Sequence, residues 1–201
     1  MKKAFLLICI LSISVVTTAC INNFAVQELN NKAMSFMEQG NYQEAIERLR
    51  SSIDLDDSVF ESHYNLAVAY TKSDDYVNAM KAYQKAISLK PDFADSYYSL
   101  AVTEENLSTD LKAGLLTLDD DGNIIKKEEP KAENASAEDE YDVMPAPVKL
   151  TPAEEVYYKD LLTDAVKNYN LYLSKGEKID DIEEVKKHIS DLEAKINPVE
   201  E

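Results

Sequence analysis

Residues able to do acid–base, nucleophilic or metal chemistry are few in kind. Histidine occurs twice (His63, His188), cysteine twice (Cys9, Cys20) and glycine four times, against 38 carboxylates. Cys9 sits inside a short apolar run and Cys20 just beyond it, so a chain cut between them keeps one thiol and forms no internal disulfide. His63 falls on an apolar helical stripe, which assigns it to packing, whereas His188 beside Ile189 reads as the solvated flank of another helix. No His–Cys cluster of metal-ligand spacing, glycine-rich phosphate loop or Gly-x-Ser-x-Gly turn occurs. One acidic run has ion-binding spacing: Asp119, Asp121 and Glu128 take the third, fifth and twelfth places of a calcium loop, with Gly122 at the sixth. Thr117 stands where the first ligand belongs and Pro130 blocks a long exiting helix. The better reading is a hairpin that turns at Asp121-Gly122 between the apolar runs Leu115–Leu118 and Asn123–Ile125. This inventory predicts a non-enzyme with no catalytic residues and no cofactor.

A repeated unit is what would position a binding surface instead. Lys32–Asp57 returns, altered but in step, 34 positions later at Leu66–Pro91, and a third copy starts another 34 on. Ala33 maps to Ala67 and Ala101, Tyr64 to Tyr98, Tyr42 to Tyr76, and Ala45 to Ala79. In the second copy His63, Leu66, Ala67 and Tyr70 form one stripe, and Tyr76, Ala79, Met80, Tyr83, Ala86 and Ile87 form the next. Gaps of three and four place each set on one helix face, and a period of this length marks stacked helical hairpins. Gly40 is suited to the left-handed residue that ends a helix, and Asn41 with Glu44 is placed to cap the next one. Ser73-Asp74-Asp75 is the matching corner, Pro91 closes the second copy, and Asp92 is a candidate cap for the first helix of the third.

His63, Leu66, Ala67, Tyr70, Ala79, Tyr83, Ala86 and Pro91 resemble the tetratricopeptide repeat consensus. The resemblance implies an all-α helical-hairpin solenoid of about three repeats with a free concave face. Its ligand-facing positions carry over to Asn30 and Met34, to Tyr64, Asn65 and Val68, and to Tyr98 and Val102. Members that grip a terminal carboxylate use lysines, asparagines and an arginine. Here Asn65 matches one asparagine, but Asn30, Asp95 and Ser99 replace the cations, so a carboxylate clamp is not expected. The strip suits an extended or helical segment with apolar side chains, because tyrosine gives large contact area and asparagine pairs with peptide groups.

The third copy is split. Its first helix runs from about Asp92 to Leu107, while its partner stripe (Leu162, Ala165, Val166, Tyr169, Tyr172, Leu173) arrives only after roughly one and a half repeats of extra chain. Thr151-Pro152-Ala153-Glu154 opens that late helix with a capping box and a first-turn proline. Residues 26–108 therefore read as two repeats plus the first helix of a third, 109–151 as an acidic and mostly disordered insert, and 152–175 as the missing helix. Residues 179–197, with Ile182, Val185, Ile189, Leu192 and Ile196, read as a C-terminal capping helix.

A net charge of −17 excludes a basic footprint for nucleic acid. Met1-Lys2-Lys3 and the apolar run Ala4–Val16 have the layout of a secretory signal. Thr17-Thr18-Ala19-Cys20 resembles the bacterial lipoprotein box, although Thr17 stands where Leu, Val or Ile is usual. The resemblance implies a signal peptide over 1–19, lipidation of Cys20, a tether over 20–25, and export to the cell envelope. In a diderm cell the anchor would be in the outer membrane, facing the periplasm. Ordinary signal cleavage after Ala19 is the competing reading. The function expected is a membrane-anchored scaffold binding a peptide or helical segment of an envelope protein; the alternative is a structural, self-associating envelope subunit.

Overall fold

The computed structural model describes residues 22–127 and 149–198, and these described residues fall into two compact units that divide between Ser96 and Tyr97. Cys20, the signal residues and Glu128 lie outside the described residues.

In the first unit a helix over 22–38 (α1) is followed by α2 (Tyr42–Leu55), α3 (Phe60–Lys72) and α4 (Tyr76–Leu89). Most of the stripe residues read from the repeat are buried, while Met80 and Ile87 are half-buried. Ala33, Ala45, Ala67, Ala79 and Ala86 are fully enclosed, as is Leu49. Side chains this small let helix axes approach closely, and each large apolar residue enclosed with them contributes about 2 kcal/mol. His63 is buried, and its Nε2 lies 2.9 Å from the Asp57 carbonyl oxygen. Helix α1 reaches back through residues 22–25, which the sequence assigned to a tether. Apolar Val26, buried here, continues its periodicity at Ala33.

The interhelix corners share one geometry with different residues. Gly40 takes a left-handed φ of 76°, and the Asn41 amide reaches the Phe36 carbonyl at 2.9 Å. At the equivalent corner Asp74 takes a φ of 57°, and the Asp75 amide reaches the Tyr70 carbonyl at 2.9 Å. The Asp74 carboxylate accepts from the Tyr76 hydroxyl at 2.9 Å, holding an uncommon conformation for a residue with a side chain. Asn41 stands at the N-cap of α2 but its side chain makes no capping bond, contrary to the expectation; Asp75 does cap α4, accepting from Asn78 N.

Helix α5 (Ala94–Ala113) begins two residues after Asp92, leaving that residue outside the cap position, and continues into the second unit. It overruns the expected boundary at 108 because the buried series Leu100, Ala101, Glu104, Leu107, Leu111 is unbroken, and the polar run Ser108–Asp110 merely passes through it. Gly114, at φ 73°, ends it, with the Leu115 amide bonded to the Asp110 carbonyl. The Asp-Gly hairpin forms as the sequence indicates: β1 (Leu116–Leu118) and β2 (Ile124–Lys126) are antiparallel, with Thr117 opposite Ile125. Helices α6 (Pro152–Lys175) and α7 (Ile182–Ile196) complete the unit. Leu161, Leu162, Ala165 and Tyr169 of α6 and Val185, Ile189 and Leu192 of α7 supply its core.

Candidate functional site

The residues carried over as a groove do not share one role. Asn30 is buried, and its amide donates to Ser52 Oγ and Ser62 Oγ, both at 2.8 Å, and to the Val26 carbonyl at 3.0 Å. Its Oδ1 accepts from Asn65 Nδ2 at 3.4 Å. Asn30 is thus committed to joining α1, α2 and α3, and only its neighbours face solvent. Met34, half exposed, and Asn65 line a cleft of about 520 Å³ with Val26, Asn31, Val59 and Glu61.

Tyr64 belongs to an aromatic cluster. Its ring centroid lies 5.8 Å from Phe60, 5.8 Å from Tyr83 and 5.4 Å from Phe93. Lys90 Nζ sits 5.0 Å from the centroids of both Phe60 and Phe93. Tyr83 and Phe93 meet Tyr64 edge-to-face and Phe60 stacks on it, the arrangements that aromatic pairs favour. Val68 and Val102 are half-buried on α3 and α5.

Tyr98 falls in the other unit, at the mouth of a larger cleft of about 620 Å³. It is 42% exposed, and its ring packs 5.5 Å from Tyr169 and 5.0 Å from Tyr172. Beneath these rings is a polar system that sequence reasoning missed. Tyr169 donates its hydroxyl to Glu105 Oε1 at 2.5 Å, and His188 Nε2 lies 2.8 Å from the same oxygen. His188 stays on a flank, its side chain 42% exposed, but it also ties α7 to α5, its ring edge-on to Tyr169 at 5.4 Å. Burial and the adjacent Glu105 hold the Tyr169 phenol well above its usual range. One residue earlier, Glu104 is 2% exposed and accepts from Asn168 Nδ2 at 2.9 and 3.1 Å. Desolvation pushes its carboxyl up to about 8, against the amide bond that favours the ionised form. The signal for Glu104 was present, since a carboxylate three residues from both Ala101 and Leu107 lies on the buried stripe.

At the hairpin, Asp119 accepts from the backbone of Asp121 and Asn123 and from the Asn123 side chain, which holds its carboxyl below the usual range. Thr117, the first place of the calcium-loop reading, is in the strand ladder and donates to Glu154 Oε1 at 2.7 Å. Among the described residues no three His, Cys, Asp or Glu side chains converge as a metal site, and Glu128 lies outside them. Glu154 also closes the capping box, accepting from Thr151 N at 2.8 Å while Thr151 Oγ1 accepts from Glu154 N. With the Thr117 hydroxyl first among these donors, its carboxyl is held down at about 2.

The paired helices and their corners agree with family likeness. A tetratricopeptide repeat model matches residues 60–93, and a second TPR repeat model matches residues 34–74. The chain carries tetratricopeptide repeats over residues 34–93, in an all-α fold of that type. No curated protein sequence matches it. Among solved structures, the first TPR of Spaghetti (RPAP3) bound to the HSP90 peptide SRMEEVD is 15% identical, covering 85% of this chain and 92% of that one, with a TM-score of 0.54. The second TPR domain of human RPAP3, in complex with the HSP70 peptide SGPTIEEVD, is 14% identical over 86% of this chain and 98% of its own, also at 0.54. The first TPR domain of human RPAP3 is 16% identical over 87% and 97%, at 0.52. At these identities the likeness concerns the fold.

Proposed function

We propose that this protein is a lipid-anchored tetratricopeptide scaffold of the bacterial cell envelope that holds a peptide or helical segment of a partner protein and performs no catalysis. The observation that carries the reading is the in-register repeat itself, whose structural relatives are seen with peptides bound. The exposed apolar and aromatic side chains at Met34 and Tyr98 support it, each at the edge of a cleft large enough for part of a peptide. Those relatives' ligands end in acidic residues, whereas here Asn30 is tied to two serines and Asp95 stands at a clamp position. The segment held is therefore an internal one rather than a terminal carboxylate. Anchoring rests on Cys20 in its lipoprotein-like setting. Among the described residues no helix is long and apolar enough to cross a membrane.

Two measurements test this. A photoreactive residue at Met34 or Tyr98 captures one discrete envelope protein in intact cells, while one at exposed Arg48 does not; capture indifferent to position would refute the scaffold. Cys20→Ser shifts the protein from the membrane fraction to the soluble one, and unchanged membrane association would remove the anchor.

A further inference from the structure

We propose that the cleft between α6 and α7 receives a cationic, lysine- or arginine-bearing segment of a protein partner. This deepens the peptide-holding reading and rests on it for the kind of molecule bound. Tyr98 and Tyr172 wall the cleft over the buried Tyr169, and Tyr98 remains 42% exposed. Tyrosine rings attract cations at their faces, and this unit already uses that chemistry internally. Lys112 Nζ stands 4.6 Å from the Tyr158 centroid and Lys175 Nζ 5.4 Å from that of Tyr97. Among the described residues no such cation lies over Tyr98.

The rim supplies matching charge. Asp180, Asp181, Glu184 and Asp191 line the cleft against Lys178 and Lys187, and the chain as a whole carries −17. An incoming cation would meet a negative field and an aromatic wall in one concavity, whereas an acidic peptide or an anionic lipid surface would be repelled. The α6–α7 turn brings Asp180 and Asp181 to the cleft, and α7 brings Glu184 and Asp191.

The test is fluorescence anisotropy of the full chain in detergent with a labelled, capped peptide of four Arg-Leu pairs. The same peptide with citrulline for arginine keeps the shape and removes the charge. The arginine peptide should bind at least about tenfold tighter than the citrulline one. Tyr98→Leu should weaken it about fivefold and Tyr98→Phe should restore it. Asp180→Asn with Glu184→Gln should weaken it as well, while the exposed pair Glu44→Gln with Glu47→Gln on α2, equal in charge, should leave it unchanged. Equal binding by the citrulline peptide, indifference to Tyr98→Leu, or an equal loss from the α2 pair would each overturn the proposal. If the rim variants fail to act while Met34 still captures its partner in cells, the cationic ligand is wrong and the scaffold reading stands; loss of both would end both.

Discussion

A serine at matching places in two repeats shows how much one hydroxyl depends on its surroundings. Ser62 is fully buried and shares hydrogen bonds with Asn30 and Ser52. Ser96, 34 residues on, is equally buried, yet its Oγ has no hydrogen-bond partner among the described residues. The reason lies in the repeat: the positions matching Asn30 and Ser52 are Tyr64 and Ala86, so both polar partners are gone. A buried unpaired hydroxyl costs about 1–3 kcal/mol, whereas a paired one contributes about 1 kcal/mol. Ser96→Ala should therefore raise stability by about 1 kcal/mol, and Ser62→Ala should lower it by about 1–2 kcal/mol, both read from urea unfolding midpoints. A destabilised Ser96→Ala protein would show that the hydroxyl has a partner. Individual roles of this kind were half legible in the sequence. Ala33, Ala67 and His63 announced their burial through spacing, but Asn30 looked like a ligand contact because an amide on a helix face does not reveal which serines will meet it.

Among elements, the late helix and the hairpin depend on each other. Glu154 serves the α6 capping box and also accepts the Thr117 hydroxyl, so one carboxylate fastens β1 to the first turn of α6. Glu154→Ala should cost about 1–2 kcal/mol and speed amide exchange at both Thr151 and the Leu116–Leu118 strand. Faster exchange at Thr151 alone would confine its role to the cap. The capping box and the Asp-Gly turn were readable because both are local and depend on residues within three or four positions. The reach from Thr117 to Glu154, the ends of a long insertion, has no local signature. Nor does the end of α5, where Gly114 was a better terminator than the polar run before it.

For the molecule as a whole, the second unit carries two carboxylates shifted in opposite senses, and pH separates them. Glu104, raised to about 8 by burial, favours the folded state while protonated, so its contribution is full below about 4.5 and falls as pH rises toward 8. Glu154, held at about 2, contributes fully above about 4.5 and loses that as pH falls toward 2. Thermal stability of this unit should peak near pH 5, with the alkaline limb falling by up to about 1.4 kcal/mol per pH unit. Repulsion among the surplus acids slopes the same way, so the check is Glu104→Gln. It should flatten the limb between pH 5 and 8, and an unchanged slope would assign the effect to the surface. The spacing of Glu104 on the buried stripe, rather than its residue type, betrays it. The knot of Asn30, Ser52 and Ser62 acts on the order of the repeats themselves. This junction is polar within, while its counterpart around Ser96 has lost both partners, so exchanging the helical hairpins would cost the buried amide its bonds. A transposed chain would press an amide onto Ala86 and strand it without a mate. The native neighbour of each hairpin is thereby favoured by chemistry as well as by linkage.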